Sequence, residues 1–213
     1  MLILTLFILG LLFTAIYLAI AILPFKNPWD RHHQSIFHVP DTILLSFDDG
    51  PDPIATPAIL DLLKKYDRKA FFFLIGHNAK QYPDIVKRIV EEGHTLGNHS
   101  TSHPSFLFSK QATIDKEIRA CQKIIEDITG ITPRYVRPPY GHRDFRFYQV
   151  IAKENLTCML WSRDSFDYLP LTNDFLKKKL FAVEPGDILL NHDRTYAQTM
   201  AIQHLENWLV RHG

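Results

Sequence analysis

The chain has 213 residues, 46% of them hydrophobic, with 24 Lys plus Arg against 23 Asp plus Glu. That length allows one sizeable core with a short appendage, and the near-zero net charge supplies no global field for nucleic acid or acidic polymers. The two cysteines, Cys121 and Cys158, fall in an expected helix and an expected strand, where buried thiols are the ordinary outcome, and a disulfide between them stays open.

Residues 1–25, MLILTLFILGLLFTAIYLAIAILPF, carry no charged side chain and outrun the roughly 20 apolar residues that a bilayer span needs. The segment lacks the basic start of a signal peptide and exceeds its usual apolar length, although Ala19-Ile20-Ala21 is a cleavage-type triplet. It is read as an uncleaved single-pass membrane anchor, with a signal peptide as the alternative. A buried soluble helix would need a polar face, and none exists. Lys26 and Arg31 follow the span and nothing basic precedes it, which by the positive-inside rule favours, on two charges, a cytoplasmic C-terminal domain. Residues 26–40, with Pro28, His32, His33 and Pro40, read as a linker whose adjacent histidines are expected to bind nothing.

From residue 41 onward, short β-branched or aromatic runs alternate with helical stretches, the pattern of βα units around a parallel sheet or barrel. Strands are expected at 42–47, 69–75, 94–99, 134–141, 157–162 and 187–192. Helices are expected at 56–66, with Thr56 as cap and Pro57 in first position, at 82–93, closed by Gly93, at about 112–128 and at about 197–211. Asp48, Asp49, His99, Arg137, Asp164 and His192 all fall at or just past the C-terminal end of an expected strand. In a parallel barrel those ends share one face, the face on which active sites form.

HSTSH at 99–103 sets two imidazoles four residues apart, so one helical turn would bring His99 and His103 to the same side. Two histidines with one of Asp48 or Asp49 make three protein ligands and leave a fourth position for water, the arrangement of a catalytic zinc site. One aspartate of the SFDDGPDP turn can then ligate a cation while the other accepts a proton from water, and the cation offsets the repulsion between two adjacent carboxylates. Singly, the residues have plainer roles: Arg137 as a surface cation, Trp161 as core, Asp164 and Asp167 as helix or turn caps. His94, His142 and His204 are read as structural or exposed.

SFDDGPDP, HSTSH, RPPYG, WSRDSFDY and LLNHD together resemble, in order and spacing, the five motifs of the polysaccharide deacetylases of carbohydrate esterase family four, to which the rhizobial chitooligosaccharide N-deacetylases belong. The resemblance spans about residues 41–205. It implies Asp48 as general base, Asp49, His99 and His103 as metal ligands, and Arg137 paired with Asp48. It further implies the backbone N–H of Tyr140 at the oxyanion, His192 as general acid oriented by Asp164, and Leu190 and Trp161 lining a pocket for the acetyl methyl. Tyr168 stands where the family more often has tryptophan, and Asn191 replaces a usual aliphatic residue; both bear on pocket shape and substrate rather than on reaction type.

Amide hydrolysis needs these parts in any case: an activated water, a polarised carbonyl and a proton for the leaving amine, with preorganised donors at the oxyanion. The expectation is therefore an α/β protein, a distorted (β/α) barrel of fewer than eight strands over residues 41–213, behind one N-terminal transmembrane helix and the 26–40 linker. Its expected activity is metal-dependent N-deacetylation of an N-acetylated glycan at a membrane, with no nucleic-acid partner. Two nitrogens and one oxygen favour zinc, with cobalt, nickel or manganese able to substitute. The alternatives are a deformylase or other small-acyl amidase on a lipid-linked sugar, and a non-catalytic glycan-binding membrane protein.

Overall fold

The computed structural model describes residues 2–22, 41–168, 182–194 and 198–212. Helix α1 (Leu2–Ile22) has no acidic residue in its first turn and no basic residue in its last, and it exposes Leu6, Phe7, Leu9 and Phe13. Its side chains are described over residues 5–16, and among the described residues no helix is long and apolar enough to cross a membrane. The expected linker, with His32 and His33, lies outside the described residues, as does the side chain of His204.

Seven strands make one sheet: β1 (Leu44–Asp48), β2 (Ala70–Leu74), β3 (Thr95–Asn98), β4 (Tyr135–Val136), β5 (Thr157–Cys158), β6 (Arg163–Asp164) and β7 (Ile188–His192). Their order is β5-β4-β3-β2-β1-β7-β6, and every pairing is parallel. Written round a circle, this is the chain order with one join missing, between β5 and β6. The sheet is a curled, incomplete barrel, which agrees with the distorted barrel of fewer than eight strands. The helices between strands are α2 (Ala55–Lys65), α3 (Gly76–Gln81), α4 (Pro83–Glu91), α5 (Gln111–Thr129) and α6 (Phe145–Lys153), and α7 (Gln198–His212) closes the described chain.

The period-2 alternation of strand side chains sorts core from site. Leu45, Phe47, Phe72, Leu74, Leu96 and Leu189 point outward into one apolar cluster with Ile59, Leu60 and Leu63 of α2 and Trp208 and Leu209 of α7. The intervening residues point into the barrel, where Phe73, Met159 and Ile188 form a small inner cluster and Ser46, Asp48 and Arg137 are the buried polar groups. Gly97 of β3 faces inward too, and a Cβ there would meet Phe73 at 2.3 Å, so only glycine admits that ring. Ile114, Ile118, Val136, Phe147 and Ile151 form a third cluster under α5 and α6.

Several expectations are corrected. Thr56 does not cap α2; its hydroxyl donates to Asp193 Oδ2 at 2.6 Å, and Asp52 Oδ1 accepts from the N–H groups of Ile54 and Ala55 instead. The expected 82–93 helix is α4, preceded by the separate short α3. The segment 134–141, expected as a strand exiting into prolines, is strand only at Tyr135–Val136; Pro138 and Pro139 lack N–H donors, and the chain turns through a 3-10 segment at Pro139–Gly141. Of the expected strand at 157–162 only Thr157–Cys158 is strand, β5; the chain then crosses to the other end of the sheet, where β6 begins at Arg163. Helix α6 was not expected; Asp144 caps it by accepting from Arg146 N–H at 2.9 Å. Cys121 and Cys158 are buried free thiols.

His94, which ends the α4–β3 connection, is a structural histidine. Its Nδ1 accepts from the Ala70 N–H at 3.3 Å, its Nε2 has no hydrogen-bond partner, and its ring lies edge-on to Phe72. Burial, helped by the charge of Lys69, pushes its pKa down to about 4 from 6.5. Between those values the unfolded chain binds a proton that the folded chain refuses, so stability present above pH 6.5 is lost as the pH falls toward 4. Urea unfolding should show this site costing about 2 kcal/mol between about pH 7 and about pH 5, and His94→Gln should remove that share of the slope. An identical slope in the variant would exclude His94 as its source.

Candidate active site

The β1 strand ends in two carboxylates whose surroundings differ. Asp48 points into the barrel, and its Oδ1 accepts from Arg137 Nη1 at 2.7 Å. Arg137, fully buried just past β4, also donates from Nη1 to Ser46 Oγ (2.9 Å), from Nε to the Met159 carbonyl (2.8 Å) and from Nη2 to the Leu160 carbonyl (3.2 Å). Burial lowers the Arg137 pKa, and the charge and hydrogen bond of Asp48 oppose that shift.

Asp49 follows in a left-handed conformation, φ 81°, which turns its carboxylate across the rim toward two imidazoles. Oδ1 lies 3.1 Å from His103 Nε2 and 3.5 Å from His99 Nε2, while Asp48 Oδ2 lies 3.6 Å from His99 Nε2. His99, just beyond β3, has its Nδ1 2.7 Å from the Arg137 carbonyl. A carbonyl only accepts, so Nδ1 carries the proton and Nε2 of the neutral ring presents a lone pair. Asp49 Oδ1 is buried without a hydrogen-bond partner. One ligand atom from each of Asp49, His99 and His103 lies within 4.8 Å of the others. Lone pairs converging in a buried place, oriented through the second ring nitrogen of His99, fit a divalent cation. Burial raises the Asp49 pKa, but the imidazoles of His103, His99 and His192 hold it far below the usual carboxylate range.

His192 ends β7, and the β1–β7 register sets it directly beside Asp48. Asp167 grips it twice: Oδ2 accepts the backbone N–H and Oδ1 meets Nδ1, both at 2.7 Å. Nε2 then faces the pocket, 4.0 Å from Asp49 Oδ2. Burial pulls the imidazole pKa down, but the hydrogen bond and charge of Asp167, with the charges of Asp48 and Asp49, push it up to about 9. The contact expected from Asp164 is therefore made by Asp167. The reason is local: Asp164 Oδ1 accepts from the Phe166 N–H at 2.8 Å and its Oδ2 from the Tyr168 hydroxyl at 3.3 Å. Phe166 has φ 57°, and this reversal delivers the next carboxylate to His192. Burial raises the Asp164 pKa.

These groups line one pocket of about 270 Å³. Of the residues expected from sequence, Asp48, Asp49, His99, His103, Tyr140, Trp161, Asp164, Leu190 and His192 all border it, and Arg137 lies behind Asp48. Tyr168 and Arg194 complete the lining. The Tyr168 ring stands edge-on to His192 with centroids 5.1 Å apart, and the exposed Tyr140 ring lies 4.5 Å from that of His103. Sequence reasoning missed Asp167, treated as a cap, and Arg194, which follows the LLNHD motif; the duplicated aspartates of WSRDSFDY were the one signal for the former.

Carboxylates and imidazoles thus gather in one pocket at the C-terminal ends of the parallel strands of an incomplete barrel. The chain belongs to the polysaccharide deacetylase family, whose model matches residues 38–159. Carbohydrate esterase family 4 deacetylases hydrolyse the N-acetyl amide bonds of sugars. A peptidoglycan-N-acetylglucosamine deacetylase of Bacillus cereus is 37% identical over 70% of this chain and 55% of its own length. The chain thus spans about half of that relative. A chitooligosaccharide deacetylase of Azorhizobium caulinodans is 35% identical over 81% of this chain and 80% of its own. Among solved structures, the Bc1960 peptidoglycan N-acetylglucosamine deacetylase, in complex with 4-naphthalen-1-yl-N-oxidanyl-benzamide, superposes with TM-score 0.78 at 32% identity, covering 82% of this chain and 83% of that one. The same fold occurs in a family 4 pseudoenzyme from Bacillus anthracis, TM-score 0.75 at 24% identity over 82% and 61%, so the fold alone does not carry activity.

The exchange of Asp164 for Asp167 has a direct test. Proton NMR of the His192 ring should find it titrating near 9 in the unmodified chain. Asp167→Asn should move that value down toward the ordinary 6.5, and Asp164→Asn, which removes a charge but no hydrogen bond to the ring, should move it less. The reverse pattern would return the orienting role to Asp164.

Proposed function

We propose that this chain is a metal-dependent N-deacetylase that hydrolyses the N-acetyl group of an amino sugar in an oligo- or polysaccharide. The observation that carries the proposal is the buried convergence of Asp49 Oδ1 and the imidazoles of His99 and His103, beside a carboxylate held by Arg137 and an imidazole held by Asp167. Asp49, His99 and His103 would hold the cation, and two nitrogens with one oxygen suit zinc, with cobalt, nickel or manganese as substitutes. A cation there polarises the acetyl carbonyl and makes a water more acidic. The compound bound to the Bc1960 enzyme is by its name a hydroxamic acid, a chelating group, which supports a metal in that relative's site.

Asp48 serves as general base. Arg137 commits its Oδ1, so Oδ2 remains to take the proton of the attacking water as oxygen bonds to the acetyl carbon. The backbone N–H of Tyr140 serves at the oxyanion. His192 serves as general acid: Nδ1 is anchored to Asp167, so Nε2–H donates to the sugar nitrogen as the C–N bond breaks, giving acetate and a free amine. Leu190 and Trp161 give one wall of the pocket an apolar surface suited to a methyl group, which favours acetyl over formyl. The rings of Tyr140, Trp161 and Tyr168 offer apolar faces for a sugar, and the named substrates of the relatives, peptidoglycan N-acetylglucosamine and chitooligosaccharide, are of that class. The exposed apolar side chains of α1 and its lack of charge support a tether holding residues 41–213 at a membrane.

The test is acetate release from N-acetylglucosamine oligomers by the full chain, metal-stripped and then zinc-restored. Activity should vanish with the metal and return with it, and Asp48→Asn and His192→Ala should each lower kcat by about 10²–10⁴-fold. Bound zinc with no acetate from any oligomer would overturn the N-acetyl reading in favour of a formylated or lipid-linked sugar. No bound zinc would leave a glycan-binding protein.

A further inference from the structure

The two oxygens of Asp49 meet different partners. Oδ1 faces the Nε2 atoms of His103 and His99 at 3.1 and 3.5 Å, and Oδ2 forms an ion pair with Arg194 Nη2. Terminal carboxylate torsions are broad and roughly two-fold, so nothing intrinsic to the side chain decides which oxygen, or whether both, would face the imidazoles. The backbone is set independently, by its left-handed φ and by Asn78 Nδ2, which donates to the Asp49 carbonyl at 2.8 Å.

We propose that Arg194 is a positioning residue for the cation site, holding Asp49 Oδ2 so that Oδ1 alone is presented between His99 and His103. The proposal rests on the reading of those three residues as cation ligands. Arg194 lies two residues beyond the end of β7, with its side chain 34% exposed at the pocket rim. Its charge opposes a second cation nearby, so two opposite outcomes are physically available. A guanidinium standing in for the cation would meet the oxygen on which the imidazoles converge. Arg194 meets the other oxygen, which is the place of an outer partner that fixes a ligating carboxylate.

Zinc affinity decides it, measured on the full chain by competition with a chromophoric chelator, for the unmodified protein, Arg194→Ala and Arg194→Lys. Arg194→Ala should weaken zinc binding by about 10–100-fold, and Arg194→Lys, which keeps the charge but loses the planar fork, should fall between. The visible spectrum of the cobalt-loaded chain is a second readout: release of Oδ2 raises the coordination number and lowers the d–d absorption in Arg194→Ala. Unchanged affinity and spectrum would overturn the proposal, and tighter zinc binding in Arg194→Ala would make the guanidinium a competitor of the cation. An unmodified chain that binds no zinc would overturn the ligand reading itself, a result distinct from either.

Discussion

One buried guanidinium organises this protein. Arg137 sits inside the barrel with the charge of Asp48 against it, Ser46 Oγ and the Met159 and Leu160 carbonyls around it, and the Phe73 ring 4.1 Å from its central carbon. Its own carbonyl accepts from His99. A buried charge without compensation costs several kcal/mol, and removing one partner of a buried pair is strongly destabilising. The strands bearing these groups are therefore held to one relative arrangement. That arrangement fixes Asp48 as a base candidate and the His99 ring in the tautomer that offers Nε2 to a cation. Stability and site geometry share the same bonds.

His192 comes from the other side of β1. Parallel register pairs Asp48 with His192 and Leu190 with Asp164, so the proposed base and acid stand on neighbouring strands at the same height, close to the usual 4.8 Å spacing. Such strands alone would let the imidazole rotate; Asp167 removes that freedom by binding both the backbone N–H and Nδ1 of His192. Each reacting group thus has a dedicated partner, Arg137 for Asp48 and Asp167 for His192. The two partners reach the rim by different routes, one from inside the barrel and one from the turn after β6.

Much of this was legible in the sequence because strand alternation and strand ends leave residue patterns. Six polar residues at expected strand ends stated where the rim was, and the HxxxH spacing after β3 stated where ligands could converge. What was not legible depends on single backbone torsions. Asp164 and Asp167 are both carboxylates in WSRDSFDY, and only the left-handed Phe166 between them decides which one reaches His192. The early end of the 157–162 strand at Cys158 was hidden because a break in a sheet is a long-range property that an apolar run does not encode. Helix α6 was not legible although Asp144 is an ordinary cap, since it starts shortly after a Pro-Pro-Tyr-Gly run whose residues favour turns over helix.

The missing join between β5 and β6 separates two kinds of pocket wall. On the paired side of the barrel, Asp48 and His192 lie in continuous strand register and Asp49 and His99 directly follow β1 and β3, and left-handed Asp49 and His103 add local strain of about 1–3 kcal/mol each, which the Arg137 network and the apolar clusters offset. Across the seam the pocket wall is made of side chains, Trp161 from the β5–β6 connection and Tyr168 from the turn after β6. A change there alters the shape offered to a sugar without disturbing a ladder bond or a ligand. Tyr168, a departure from the usual tryptophan, stands on that wall with the edge of its ring against His192 and its hydroxyl on Asp164. An incomplete barrel can thus vary the pocket wall at its seam while Asp48, Asp49, His99 and His192, proposed as base, cation ligands and acid, remain as they are.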